Sequence, residues 1–110
     1  MPKGVLFVMT EPLEGKDDEF NEWYDTVHIP ELLKVPGVAA AQRFVAVPWT
    51  KGELPDRQYL TVYEFDTDVD EVKEAIKRAR PGDAAKIPPV IDTSASIVYA
   101  FQAIRDRVEV

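Results

Sequence analysis

Gly4-Val5-Leu6-Phe7-Val8-Met9-Thr10 is a run of β-branched and aromatic residues that is apolar at odd and even positions alike. Successive side chains of a strand point to opposite faces, so this run predicts a central strand covered on both sides. Glu11-Pro12 ends it, and Gly15 to Glu19 supplies a turn whose acidic residues suit the N-terminus of a helix starting at Asp17. Phe20, Trp23, Tyr24 and Val27 recur at spacings of three and four, which predicts one helical stripe against a core. Pro30 removes a backbone donor and crowds the turn before it, predicting a kink or restart near His28-Ile29. Leu32 and Leu33 pack beyond that point, and Pro36-Gly37 stops the helix.

Downstream, Val38 to Val47 reads as a second strand, with Ala39, Ala41, Arg43, Val45 and Val47 alternating with Val38, Ala40, Gln42, Phe44 and Ala46. Pro48 to Asp56 has the turn chemistry of a loop. Arg57 to Phe65 is a third strand, with Tyr59, Thr61, Tyr63 and Phe65 opposite Leu60, Val62 and Glu64. Asp68 with Glu71 resembles a capping box, and Val72, Ala75, Ile76 and Ala79 form the stripe of a second helix. Lys77, Arg78 and Arg80 favour its C-terminal dipole, and Pro81-Gly82 closes it. A loop from Asp83 to Thr93 leads to a fourth strand, Ser94 to Ala103, in which Ile97, Tyr99 and Phe101 alternate with Val98 and Ala100. Arg105 to Val110 is a charged tail that extends this strand or crosses to a partner.

The order is therefore βαββαβ. With right-handed crossovers it gives an α+β, ferredoxin-like arrangement: a four-stranded antiparallel sheet with two helices on one face. A length of 110 residues fits one domain, residues 1–110. The helices leave the other sheet face uncovered, although every strand carries apolar side chains there, and a second sheet from an identical chain is the economical cover. Two facing sheets enclose an aromatic interior, which fits a small-molecule cavity and a filled interface equally.

Composition narrows the chemistry. Apolar residues at 45% and charged residues at 30% are incompatible with a disordered or fibrous chain. The absence of cysteine excludes disulfides, thiolate zinc sites, iron-sulfur clusters and cysteine nucleophiles. A net charge of -7 without a dense Lys/Arg cluster argues against nucleic acid and anionic membranes as partners. The apolar run Val5 to Met9 is shorter than a signal-peptide core or a membrane span, so a cytoplasmic location is expected. One histidine cannot build a multi-histidine metal site, the glycines form no phosphate loop, and Ser94 and Ser96 lie on no nucleophile elbow.

His28 is the only histidine, and its side chain is the one type present that ordinarily titrates near neutrality. On an α-helix Tyr24 lies four positions before it, Asp25 three before and Glu31 three after. Asp25 in that position can fix the imidazole tautomer and favour the imidazolium, aiming the second nitrogen at a substrate. The structural alternative is a polar residue at a helix kink bonded to a backbone carbonyl. Arg43 is either an inward clamp for a carboxylate or enolate, or a surface ion-pair partner. Trp49 is a pocket lid or a dimer contact, while Tyr59, Tyr63, Tyr99 and Phe101 line a cavity or simply pack.

The stretch Phe20-Asn21-Glu22-Trp23-Tyr24-Asp25-Thr26-Val27-His28-Ile29-Pro30-Glu31-Leu32, followed by Val35-Pro36-Gly37-Val38 and Arg43-Phe44, resembles the dimeric α+β barrel superfamily, and within it the EthD-like branch. The carrying pattern is Tyr24, three residues, His28, one residue, Pro30, and then a Pro-Gly turn into a strand. The resemblance implies a homodimer and a pocket residue at His28 acting as acid or base. It also implies a choice among cyclases, dehydratases, isomerases, cofactor-free monooxygenases, haem-using enzymes and proteins without a reaction. The haem-degrading branch uses asparagine, tryptophan and histidine in another arrangement, which a lone helix histidine does not match. The expectation is thus a cofactor-independent isomerase, cyclase, dehydratase or lyase acting on a small hydrophobic or aromatic carbonyl compound. In it His28 and Asp25 are catalytic, and Tyr24, Arg43, Trp49, Tyr63, Tyr99 and Phe101 bind substrate. The alternatives are a non-catalytic ligand-binding or assembly dimer and a cofactor-free monooxygenase.

Overall fold

The structure is a computed structural model that describes residues 3–49, 52, 54–55, 57–79, 90–92 and 96–110. Along the chain run β1 (Gly4–Thr10), α1 (Asp17–Trp23), a π-helical turn (Tyr24–His28), α2 (Ile29–Leu32), β2 (Val38–Val45), β3 (Tyr59–Phe65), α3 (Val69–Ala79) and β4 (Ile97–Gln102). The four strands form one sheet in the order β2-β3-β1-β4, and each neighbouring pair is antiparallel. The expected α+β, ferredoxin-like arrangement is what the chain adopts. Thr50, Lys51, Glu53, Asp56, the stretch 80–89 and residues 93–95 lie outside the described residues, and with them the expected helix stop at Pro81-Gly82 and most of the loop before β4.

Register assigns each face. Leu6 opposes Tyr63 and Val8 opposes Thr61, while Ala41 opposes Tyr63 and Arg43 opposes Thr61, so all of these share one face. That face is the core: Leu32, Val35, Val38, Tyr63, Phe65, Val72 and Ala75 bury together, and Phe20, Tyr24 and Val90 form a second cluster. On the opposite face Phe7 opposes Tyr99 and Val62, and Val5 opposes Phe101 and Glu64. Tyr99 and Phe101 are 60% and 53% exposed there, an apolar surface that one chain does not cover.

Two local features depart from the regular pattern. The register of β2 shifts between Val38 and Ala40, so Val38 joins the face of Ala41 instead of alternating with it. Gly37, at φ +95°, makes the turn into β2, and a Cβ there would sit 2.7 Å from Thr67 Oγ1 and 2.8 Å from Val72 Cγ2. Only glycine both adopts that backbone and lets the turn close against α3.

Candidate functional site around the π-helical turn

The disturbance expected near His28-Ile29 takes a definite form. Pro30 has no N–H to give and its ring crowds the carbonyl four residues back, and the chain relieves this by widening its preceding turn. The N–H of Ile29 accordingly reaches five residues back to the Tyr24 carbonyl. The Thr26 hydroxyl donates to the Glu22 carbonyl at 2.7 Å, a back-bond that also bends helices.

The wider turn changes which side chains meet. Residues five apart fall on one side of it, and the imidazole of His28 lies flat on the Trp23 indole, with ring centres 4.6 Å apart and planes 18° from parallel. Tyr24 meets the same imidazole edge-on at 5.2 Å and 87°. His28 is half-buried as a result. Sequence reasoning missed the Trp23–His28 stack because it counted partners at three and four, as a regular helix requires; Pro30 was the available signal.

Asp25 Oδ1 accepts from Arg43 Nη1 at 3.2 Å, so the carboxylate expected to orient His28 also anchors a guanidinium on β2. Arg43 Nη2 donates to Asn21 Oδ1 at 2.8 Å. Asn21 is a site residue that the sequence reading passed over, although it lies one helical turn before Asp25 on the same stripe. The guanidinium carbon sits 4.9 Å from the Tyr24 ring centre, 5.6 Å from Phe20 and 5.7 Å from Tyr59, a cation inside an aromatic box. The Arg43 side chain is only 16% exposed against 62% for Asp25, and its Nε is buried without a partner among the described residues. Burial pushes the Tyr24 hydroxyl above its ordinary pKa, opposed by its hydrogen bond with Thr10 and by the Arg43 charge. The Tyr59 hydroxyl donates to Asp17 Oδ2 at 3.0 Å, tying β3 to the start of α1.

The six expected substrate-binding residues do not converge on one pocket. Tyr24, Arg43 and Tyr63 lie under the helices, whereas Tyr99 and Phe101 lie on the open face with Phe7, whose ring meets Phe101 at 5.3 Å. Trp49, beyond β2, is exposed. Alternation within each strand was legible; the face each set would take depended on pairing register. Four surface hollows of about 350 to 480 Å³ lie beside α3 or at the end of β4, and neither His28 nor Arg43 lines any of the four. Among the described residues no group of three or more His, Cys, Asp or Glu is placed to hold a metal, and no helix is long and apolar enough to cross a membrane.

No protein-family model and no curated protein matches the chain. Solved structures do. An EthD-family protein of Bacillus halodurans superposes with a TM-score of 0.64 at 18% identity, covering 92% of this chain and 99% of that one. HapK from Hahella chejuensis gives 0.70 at 12%, covering 97% and 98%. The haem-degrading MhuD of Mycobacterium tuberculosis, with two haems in its active site, gives 0.55 at 20%, covering 96% and 99%. The chain has the α+β, ferredoxin-like fold of these structures, which are dimeric α+β barrel proteins. Fold of this kind carries many unrelated reactions, so the chemistry of this chain rests on its own residues.

Proposed function

We propose that this barrel protein works as a homodimer on a small hydrophobic or aromatic carbonyl compound, without a bound cofactor. His28 moves a proton to or from carbon in an isomerisation, cyclisation, dehydration or elimination. The observation that carries this reading is the π-helical turn, which holds the chain's one imidazole flat on Trp23 and edge-on to Tyr24. Such turns recur at functional sites, and a fixed ring is what general acid–base catalysis needs. Tyr24 also touches Arg43, so an acid–base group and a fixed cation flank one aromatic ring. Developing negative charge on a carbonyl oxygen is stabilised by such a preorganised cation. Asp25 also positions Arg43. The apolar face of Phe7, Tyr99 and Phe101 supports sheet-to-sheet pairing.

MhuD holds haem in its active site. The lone helix histidine of this chain does not match the arrangement of asparagine, tryptophan and histidine expected of the haem-degrading branch, and no step of this reading runs through haem. The experiment is a screen of aromatic ketones and β-keto acids for deuterium incorporation at carbon, followed by NMR, with wild type and His28→Gln. General acid–base groups are worth roughly 10²- to 10⁴-fold, and a loss of that order in the variant is expected. Equal exchange in both proteins overturns the assignment.

One observation favours a second reading, a dimer that binds a small apolar ligand without reaction: Phe7, Tyr99 and Phe101 form an apolar face apart from His28. In that case His28→Ala leaves ligand affinity unchanged while Phe7→Ala and Tyr99→Ala weaken it.

A further inference from the structure

A different part of the molecule carries an inference that goes beyond the chemistry of His28. Between α3 and the sheet edge at β4 lies a hollow of about 350 Å³ floored by Leu6, Phe65, Val69, Ile76, Val98 and Ala100. Among the described residues its only charged lining residues are Lys73 and Lys77, one helical turn apart on α3. Lys77 has Glu74 at 3.7 Å, but both side chains are about 60% exposed, so the pair holds the ammonium weakly. The adjoining hollow, which shares Val69 and Ala100, is lined instead by Asp68, Asp70 and Glu71. The groove along β4 thus runs from an acidic end, through an apolar floor, to a basic rim, in a chain whose net charge is -7.

We propose that this groove is a binding site for an amphipathic monocarboxylate, its apolar body on Val98, Ala100 and Ile76 and its carboxylate between Lys73 and Lys77. Concave apolar surface with a few convergent polar groups is the usual makeup of a small-molecule site. Charge complementarity selects the head group: a cation would be repelled by the lysines, and an uncharged alcohol would gain only the apolar floor. The acidic end fixes the direction, because a carboxylate there would face Asp68, Asp70 and Glu71.

The test is an amide-shift NMR titration of the full chain with decanoate, decanol and decyltrimethylammonium. Expected are shifts centred on Lys73, Lys77 and Val98, with decanoate binding at least about tenfold more tightly than decanol and the ammonium not saturating. The double variant Lys73→Gln/Lys77→Gln brings decanoate to within about twofold of decanol, as the loss of two solvent-exposed charge contacts requires. Val98→Asp, at a position already 56% exposed and therefore tolerant, abolishes saturable decanoate binding. Equal affinity for decanoate and decanol overturns the proposal. So do shifts centred on Phe7 and Tyr99 of the open face, or no saturation below the micellar concentration of the probe. The activity of His28→Gln bears on none of these outcomes.

Discussion

The two halves of the helix-covered sheet face solve the same packing problem differently. Under α1 the space is filled: Phe20 and Tyr24 are buried, and Arg43 is drawn from β2 into their aromatic box. Val72 and Ala75 of α3 bury against Tyr63 and Phe65, but toward the sheet edge the helix offers Val69 and Ile76 and β4 answers with Val98 and Ala100, side chains too short to close the gap. The result is a half-open groove where Val98 remains 56% exposed. Large, rigid aromatics fill the space under α1, while small aliphatics leave the β4 edge of α3 half-open.

If that contrast is right, substitutions should act unequally on the two sides. The largest effect is expected for Phe20→Ala, which empties the closed side and costs about 3 to 5 kcal/mol in urea unfolding. Tyr24→Phe should cost roughly 1 kcal/mol near neutrality through loss of the Thr10 hydrogen bond. It should also change the alkaline limb. Because burial raises the Tyr24 pKa above its unfolded value of 10.0, the stability it contributes is fully present below pH 10 and is lost as pH rises through the folded value. The wild-type unfolding midpoint should therefore fall more steeply above pH 10 than that of Tyr24→Phe. On the open side Val98→Phe should be neutral to stabilising by less than about 1 kcal/mol, since it covers apolar surface without displacing anything. A cost of several kcal/mol there would mean that the groove is already filled.

Much of the architecture was legible. The unbroken apolar run Gly4–Thr10 and the helical stripe of Val72, Ala75 and Ile76 are strong signals, and both elements lie where those signals put them. Where the signal was absent, so was the reading. Val38-Ala39-Ala40-Ala41 carries small apolar side chains at every position, which mark no preferred face, and there the register of β2 shifts. Pro30 announced a disturbed helix without specifying its width, and the width decides that His28 meets Trp23 while Asp25 turns to Arg43. Tyr63 and Tyr99 could be grouped into one pocket on paper because alternation defines faces within a strand; only pairing decides which faces coincide.

The central claim is that the π-helical turn exists to aim His28. Its most direct test is deuterium incorporation at carbon measured side by side in wild type, His28→Gln and Pro30→Ala, the last restoring an ordinary helical donor. The expected result is a loss of about 100-fold or more in His28→Gln and at least about tenfold in Pro30→Ala, with circular dichroism and oligomeric state unchanged, since small displacements of a catalytic group are costly. Wild-type exchange rates in both variants would contradict it.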